Sequence, residues 1–106
     1  MVSFGDFQKI EFRVGEVISA ENVEGSDKLI VLQVDTGGKQ VQMVSSLKGH
    51  YTEKELTGRK IIVVTNLDPA KIRGIESEAM LMAAEDEGTV SLLTIDKDMP
   101  VGTKVF

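Results

Sequence analysis

Between Pro69 and Ser77 the chain sets two cations one residue apart, Lys71 and Arg73, with Gly74 directly behind them. Beside a proline that stiffens the backbone, such a pair can project at phosphate oxygens, the lysine as a point charge and the arginine as a fork. On spacing alone, two solvated loop charges is the more economical account. Asn66 and Ser77 flank the pair, and their amide and hydroxyl can hydrogen-bond sugar or base edges. They can equally cap a turn and satisfy a backbone group. Met80 offers soft apolar surface to an unstacked base, or fills a core. Lys28 adds a further cation unless it closes a salt bridge with Asp27 in its own turn. Arg13 alternates with Phe12 and Val14, so a strand here puts it opposite them, on an outer sheet face.

Other chemistries are poorly served. His50 is the only histidine and there is no cysteine, which removes imidazole clusters, thiolate sites and disulfides. Glu85-Asp86-Glu87 are three consecutive carboxylates in a turn, which do not converge as a calcium loop requires. No glycine-rich phosphate loop ending in Lys-Ser or Lys-Thr occurs, so the chain is expected to be no enzyme and to need no cofactor or metal.

These residues must be positioned by a single domain, 1–106, because a chain this short can bury one core only. With 42% hydrophobic and 27% charged residues, it reads as an ordinary folded protein. The longest apolar stretches, Ile61 to Val64 and Ala79 to Ala84, are far below the roughly 20 residues of a membrane span. No secretory signal is visible at the N-terminus, so a cytoplasmic home is expected. Seventeen acidic against twelve basic residues give a net charge of −5, which opposes general affinity for a polyanion and makes any such site local.

Ser3 with Asp6 resembles a capping box opening a short helix at about 4–9, and Thr52 with Glu55 gives another near Glu53 to Leu56. Alternating apolar residues predict strands over 11–20, 29–34, 39–44, 60–65, 80–84 and 90–95, with a further extended piece near Pro100 and Gly102. Gly15 is expected to mark a bulge or a tight bend in the first strand, which shifts the side chains that point inward. Gly37-Gly38 predicts a hairpin, and 85–88 a turn. Short strands with a helix between the third and fourth predict an all-β OB-fold, a five-stranded Greek-key barrel with a C-terminal extension. Apolar residues at 79–84 and 92–95 are expected on an outer surface covered by a partner copy.

The blocks Phe12-Arg13-Val14-Gly15-Glu16-Val17, Asp27-Lys28-Leu29 and above all Asn66-Leu67-Asp68-Pro69-Ala70-Lys71-Ile72-Arg73-Gly74-Ile75-Glu76-Ser77-Glu78-Ala79-Met80 carry a family likeness. From Phe7 to Val105 the chain resembles the tRNA-binding domain appended to methionyl-tRNA synthetases or carried as their separate beta subunit. The resemblance implies tRNA held by shape, a homodimer, and the catalytic chain of methionyl-tRNA synthetase as a partner. It implies RNA contacts from Arg13, Lys28, Asn66, Lys71, Arg73, Ser77 and Met80. Three positions depart from the family pattern: Ala79 and Ser46 stand where glycine is usual, and Asp68 where a basic residue is frequent. A dimeric protein-interaction module, like the export-related chaperones of this fold, is the alternative from another class.

Overall fold

The computed structural model describes all 106 residues, Met1 to Phe106. In chain order the elements are α1 (Phe4–Gln8), β1 (Phe12–Asn22), β2 (Ile30–Asp35), β3 (Gln40–Ser45), α2 (Glu53–Leu56), β4 (Lys60–Val64), β5 (Ala70–Ile72) and β6 (Ile75–Ser77). They continue with β7 (Met80–Leu81), β8 (Ala83–Asp86), β9 (Thr89–Leu92) and β10 (Lys104–Val105). The main sheet runs β3-β2-β1-β4-β7, entirely antiparallel, and β10 adds to the start of β1. The two ends approach each other where the Glu78 N–H donates to the Gln42 carbonyl at 2.8 Å. The result is a nearly closed five-stranded barrel with a helix between the third and fourth strands, the OB-like order that the strand spacing predicts.

Alternation builds the interior. Ile30, Leu32 and Val34 on β2 face Val41 and Met43 of β3, Val17 of β1, and Ile61 and Val63 of β4 in one buried cluster. Leu56, fully buried, joins that cluster from α2. It is held there by a complete capping box, in which the Thr52 hydroxyl accepts from the Glu55 N–H and the Glu55 carboxylate from the Thr52 N–H. At α1 the box is half made. Ser3 Oγ accepts from the Asp6 N–H, but the Asp6 carboxylate turns to Lys9.

Gly15 pairs in regular register with Ile61, and the register shift of β1 lies between Val17 and Ser19 instead. A Cβ on Gly15 would come within 2.8 Å of the Val34 side chain and 2.9 Å of the Val63 side chain, so this glycine marks close approach inside the barrel, not a bulge.

The C-terminal part divides differently from its apolar pattern. The stretch predicted as one strand at 80–84 breaks at Met82: β7 stays with β4, whereas β8 leaves to form a separate hairpin with β9. The last expected strand ends at Leu92 and not at Ile95. Ala79, Leu81 and Leu92 point into the core, leaving Met80, Ala83, Ala84 and Leu93 as the exposed apolar residues of those segments. The larger exposed apolar face lies elsewhere. Phe4, Phe7, Ile10 and Phe106 are all exposed, and with Phe12 and Val105 they line a groove of about 300 Å³ between α1 and β10.

Candidate nucleic-acid interface

The segment from Asn66 to Met80, expected as a stiff loop, contains a two-stranded hairpin. β5 and β6 pair with Ile72 opposite Ile75, so Arg73 and Gly74 form a two-residue turn with φ of 51° and 79°. Positive φ at both positions is the type I′ geometry whose twist matches that of its flanking strands, and it explains the glycine at the second place. Arg73 takes the costlier first place, and its guanidinium donates to the Gly25 carbonyl at 3.3 Å. The hairpin tip therefore rests on the turn between β1 and β2.

That turn is itself fastened. Ser26 is buried, and its hydroxyl accepts from the N–H groups of Lys28 and Leu29. The Lys48 ammonium donates to the Ser26 carbonyl at 2.6 Å. Sequence reasoning missed Lys48, because nothing in its local pattern distinguishes it from a solvated lysine. Lys28 is exposed and makes no ion pair with Asp27, and Lys71 opposes Glu76 across the hairpin without closing one. The three ion pairs of the chain all lie elsewhere, leaving Lys28, Lys71 and Arg73 without carboxylate partners on two joined loops.

The other expected contacts are placed differently. Arg13 shares the parity of Gly15 and Val17, which is the interior side of β1, while Phe12 and Val14 take the outer side; the expected outer-face placement is thereby reversed. Its guanidinium lies at the barrel rim beside the Glu11 carboxylate at 3.5 Å and donates to the Gly102 carbonyl. The Thr65 hydroxyl, donating at 2.7 Å, is the main cause holding the Glu11 carboxyl below its ordinary pKa, and Arg13 assists. Asn66 accepts from the Glu11 N–H at 2.8 Å and donates to the Lys9 carbonyl at 2.6 Å. Ser77 is buried; its hydroxyl accepts from the Val44 N–H and donates to the Ala79 carbonyl, so it serves barrel closure. Met80 is 55% exposed and borders the hairpin, which makes it surface and not core. The structure thus brings together Lys28, Lys71, Arg73 and Met80, and turns Arg13, Asn66 and Ser77 to backbone contacts.

The family model described as "Putative tRNA binding domain" matches residues 12–104. The chain belongs to this family. The methionine–tRNA ligase of Methanocaldococcus jannaschii is 54% identical over 99 residues, covering 92% of the chain but only 15% of that ligase. The chain thus spans about a sixth of the length of the ligases it matches. A MetRS-related protein from Pyrococcus horikoshii superposes with a TM-score of 0.93 at 37% identity, covering 100% of this chain and 98% of that one. The chaperone CsaA from Bacillus anthracis superposes at 0.90 with 30% identity, covering 100% and 99%. No helix of the chain is long and apolar enough to cross a membrane.

Proposed function

We propose that this chain is a non-catalytic module that binds tRNA by shape on its joined loops and serves methionyl-tRNA synthetase, as an appended domain or a separate beta subunit, in the cytoplasm. The observation that supports the reading is the Arg73 contact with Gly25, which joins the hairpin carrying Lys71 and Arg73 to the turn carrying Lys28. The rim of these loops offers a polyanion three cations that enter no ion pair, in a chain whose net charge is −5. Met80 adds apolar surface beside the rim. Asn66 and Ser77 support the loop through backbone contacts, and Arg13 supports the barrel rim.

The module works as a homodimer. α1 is five residues long and buries none of them, yet a helix this short is marginal in water without a packed face. A second copy laid over Phe4, Phe7, Ile10 and Phe106 supplies that cover and doubles the RNA-binding surface.

The test is titration of unfractionated tRNA at several salt concentrations. Affinity falls steeply with salt, and Lys71→Ala lowers the logarithmic salt slope by roughly one. Lys97→Ala removes the same charge outside the loops and leaves the slope unchanged. Equal losses in both variants would assign binding to the general field of the protein and sink the proposed site. Salt-insensitive capture of an apolar peptide, with no tRNA binding, would favour the chaperone-like alternative to which the CsaA superposition points.

A further inference from the structure

A groove of about 450 Å³ opens beside the joined loops. Val44, Leu47 and Leu81 are its buried residues, and Leu29, Ile72 and Met80 line it at the surface. The cations of the loops adjoin it through the backbone. Lys28 precedes Leu29, and its carbonyl accepts from the Lys48 N–H next to Leu47. Arg73 follows Ile72. On β8 the groove is bordered by Ala84 and by Glu85, an exposed carboxylate that enters no ion pair. An apolar slot with a free acceptor on one wall, and with Lys28 and Arg73 one residue beyond its lining, matches a nucleotide: a flat apolar base, an anionic backbone and an edge that donates hydrogen bonds.

We propose that this groove holds one unpaired nucleobase of the bound RNA. Its faces lie against Met80 and Ile72, its phosphates face Lys28 and Arg73, and its exocyclic amino group donates to the Glu85 carboxylate. Cytosine presents such an amino group, whereas uracil presents a carbonyl oxygen that the carboxylate repels, so Glu85 is the residue that determines base preference. The inference rests on the tRNA-binding reading above.

Fluorescence anisotropy with labelled oligocytidine, oligouridine and unfractionated tRNA at low salt tests it. The wild-type chain prefers oligocytidine to oligouridine by roughly tenfold. Glu85→Ala abolishes that preference, since it removes the acceptor that distinguishes an amino group from a carbonyl oxygen. Ala84→Trp, at an exposed position where added bulk fills the groove without entering the core, weakens both oligonucleotides roughly tenfold. Its melting curve stays cooperative. If the wild type binds tRNA but Ala84→Trp binds the oligonucleotides unchanged, or Glu85→Ala retains the preference, the base slot is overturned and the tRNA reading stands. If the wild type binds no tRNA at low salt, both fall.

Discussion

Asn66 fastens the start of the hairpin loop to the junction of α1 and β1, and replacing it with alanine separates a supporting role from RNA contact. The substitution removes two hydrogen bonds, from the Glu11 N–H at 2.8 Å and to the Lys9 carbonyl at 2.6 Å. Bonds of this kind contribute about 0.5–1.5 kcal/mol each, so the two together contribute roughly 1–3 kcal/mol. Asn66 is exposed, which lets water reach the orphaned groups, and the Thr65 N–H still donates to the Glu11 carbonyl. The lower half of the range applies, about 1–2 kcal/mol. At roughly 4–8 °C per kcal/mol for domains near this size, the melting midpoint drops by about 4–16 °C. Far-ultraviolet circular dichroism reads the midpoint, and tRNA anisotropy well below both midpoints reads binding. The expected outcome is a lowered midpoint with affinity and salt slope close to those of the wild type. A tenfold loss of affinity with an unchanged midpoint would mean that the amide meets RNA directly, and the clamp account would be abandoned.

Ser77→Ala leaves the buried Val44 N–H without its acceptor and lowers stability by about 1–3 kcal/mol, measured by urea unfolding; an unchanged midpoint would show that the barrel seam does not depend on this hydroxyl. Sedimentation at tens of micromolar reports a dimer, and Phe4→Ser with Phe7→Ser shifts it toward monomer; a wild-type monomer at that concentration refutes the α1 interface. The Glu55 carboxyl is held below its ordinary value of about 4.5 chiefly by the Thr52 backbone N–H, so its contribution to stability is present above that pH and lost as pH falls through the depressed folded value. The difference in melting midpoint between wild type and Glu55→Gln therefore narrows on acidification below 4.5, and a constant gap would exclude ionisation as its source.

Much of the fold was legible because the barrel obeys a period of two. Ile30, Leu32 and Val34 alternate cleanly, and the box of Thr52 with Glu55 announces α2 at its true position. Parity alone does not say which side of a strand is inside, and Arg13 shows the cost. Phe12 and Val14 are the apolar residues of the β1 start, yet α1 and β10 draw them outward, so the barrel side falls to Arg13 and Gly15. The break at Met82 was hidden for a related reason: an apolar run reads alike whether it stays in one sheet or leaves it. At the site, the pairing of Lys71 with Arg73 on one segment beside Pro69 was legible, whereas the hairpin that puts Lys71 on β5 and Arg73 on the turn, and the docking of that turn on Gly25, 48 residues away, depend on tertiary closure that no local pattern records.

That docking bears on how a chain poor in aromatic residues can hold a folded RNA. Stacking is the usual source of affinity for single strands, and with 5% aromatic residues it is scarce here. What the chain offers instead is rigidity. Ser26 and Lys48 fix the β1–β2 turn, Arg73 locks the hairpin tip to it, and Asn66 and Ser77 tie the two ends of the hairpin segment to the α1–β1 junction and to β3. A surface already ordered before contact loses little entropy on binding, which on the proposed reading lets a few unpaired cations at fixed separations contribute to recognition of shape. The same reasoning assigns different tasks to residues that look alike in sequence: Lys48 and Lys28 are both lysines of the loop region, but Lys48 uses its charge on backbone carbonyls and Lys28 keeps its charge for solvent. Neutralising Lys48 therefore loosens the platform, whereas neutralising Lys28 subtracts one cation from it.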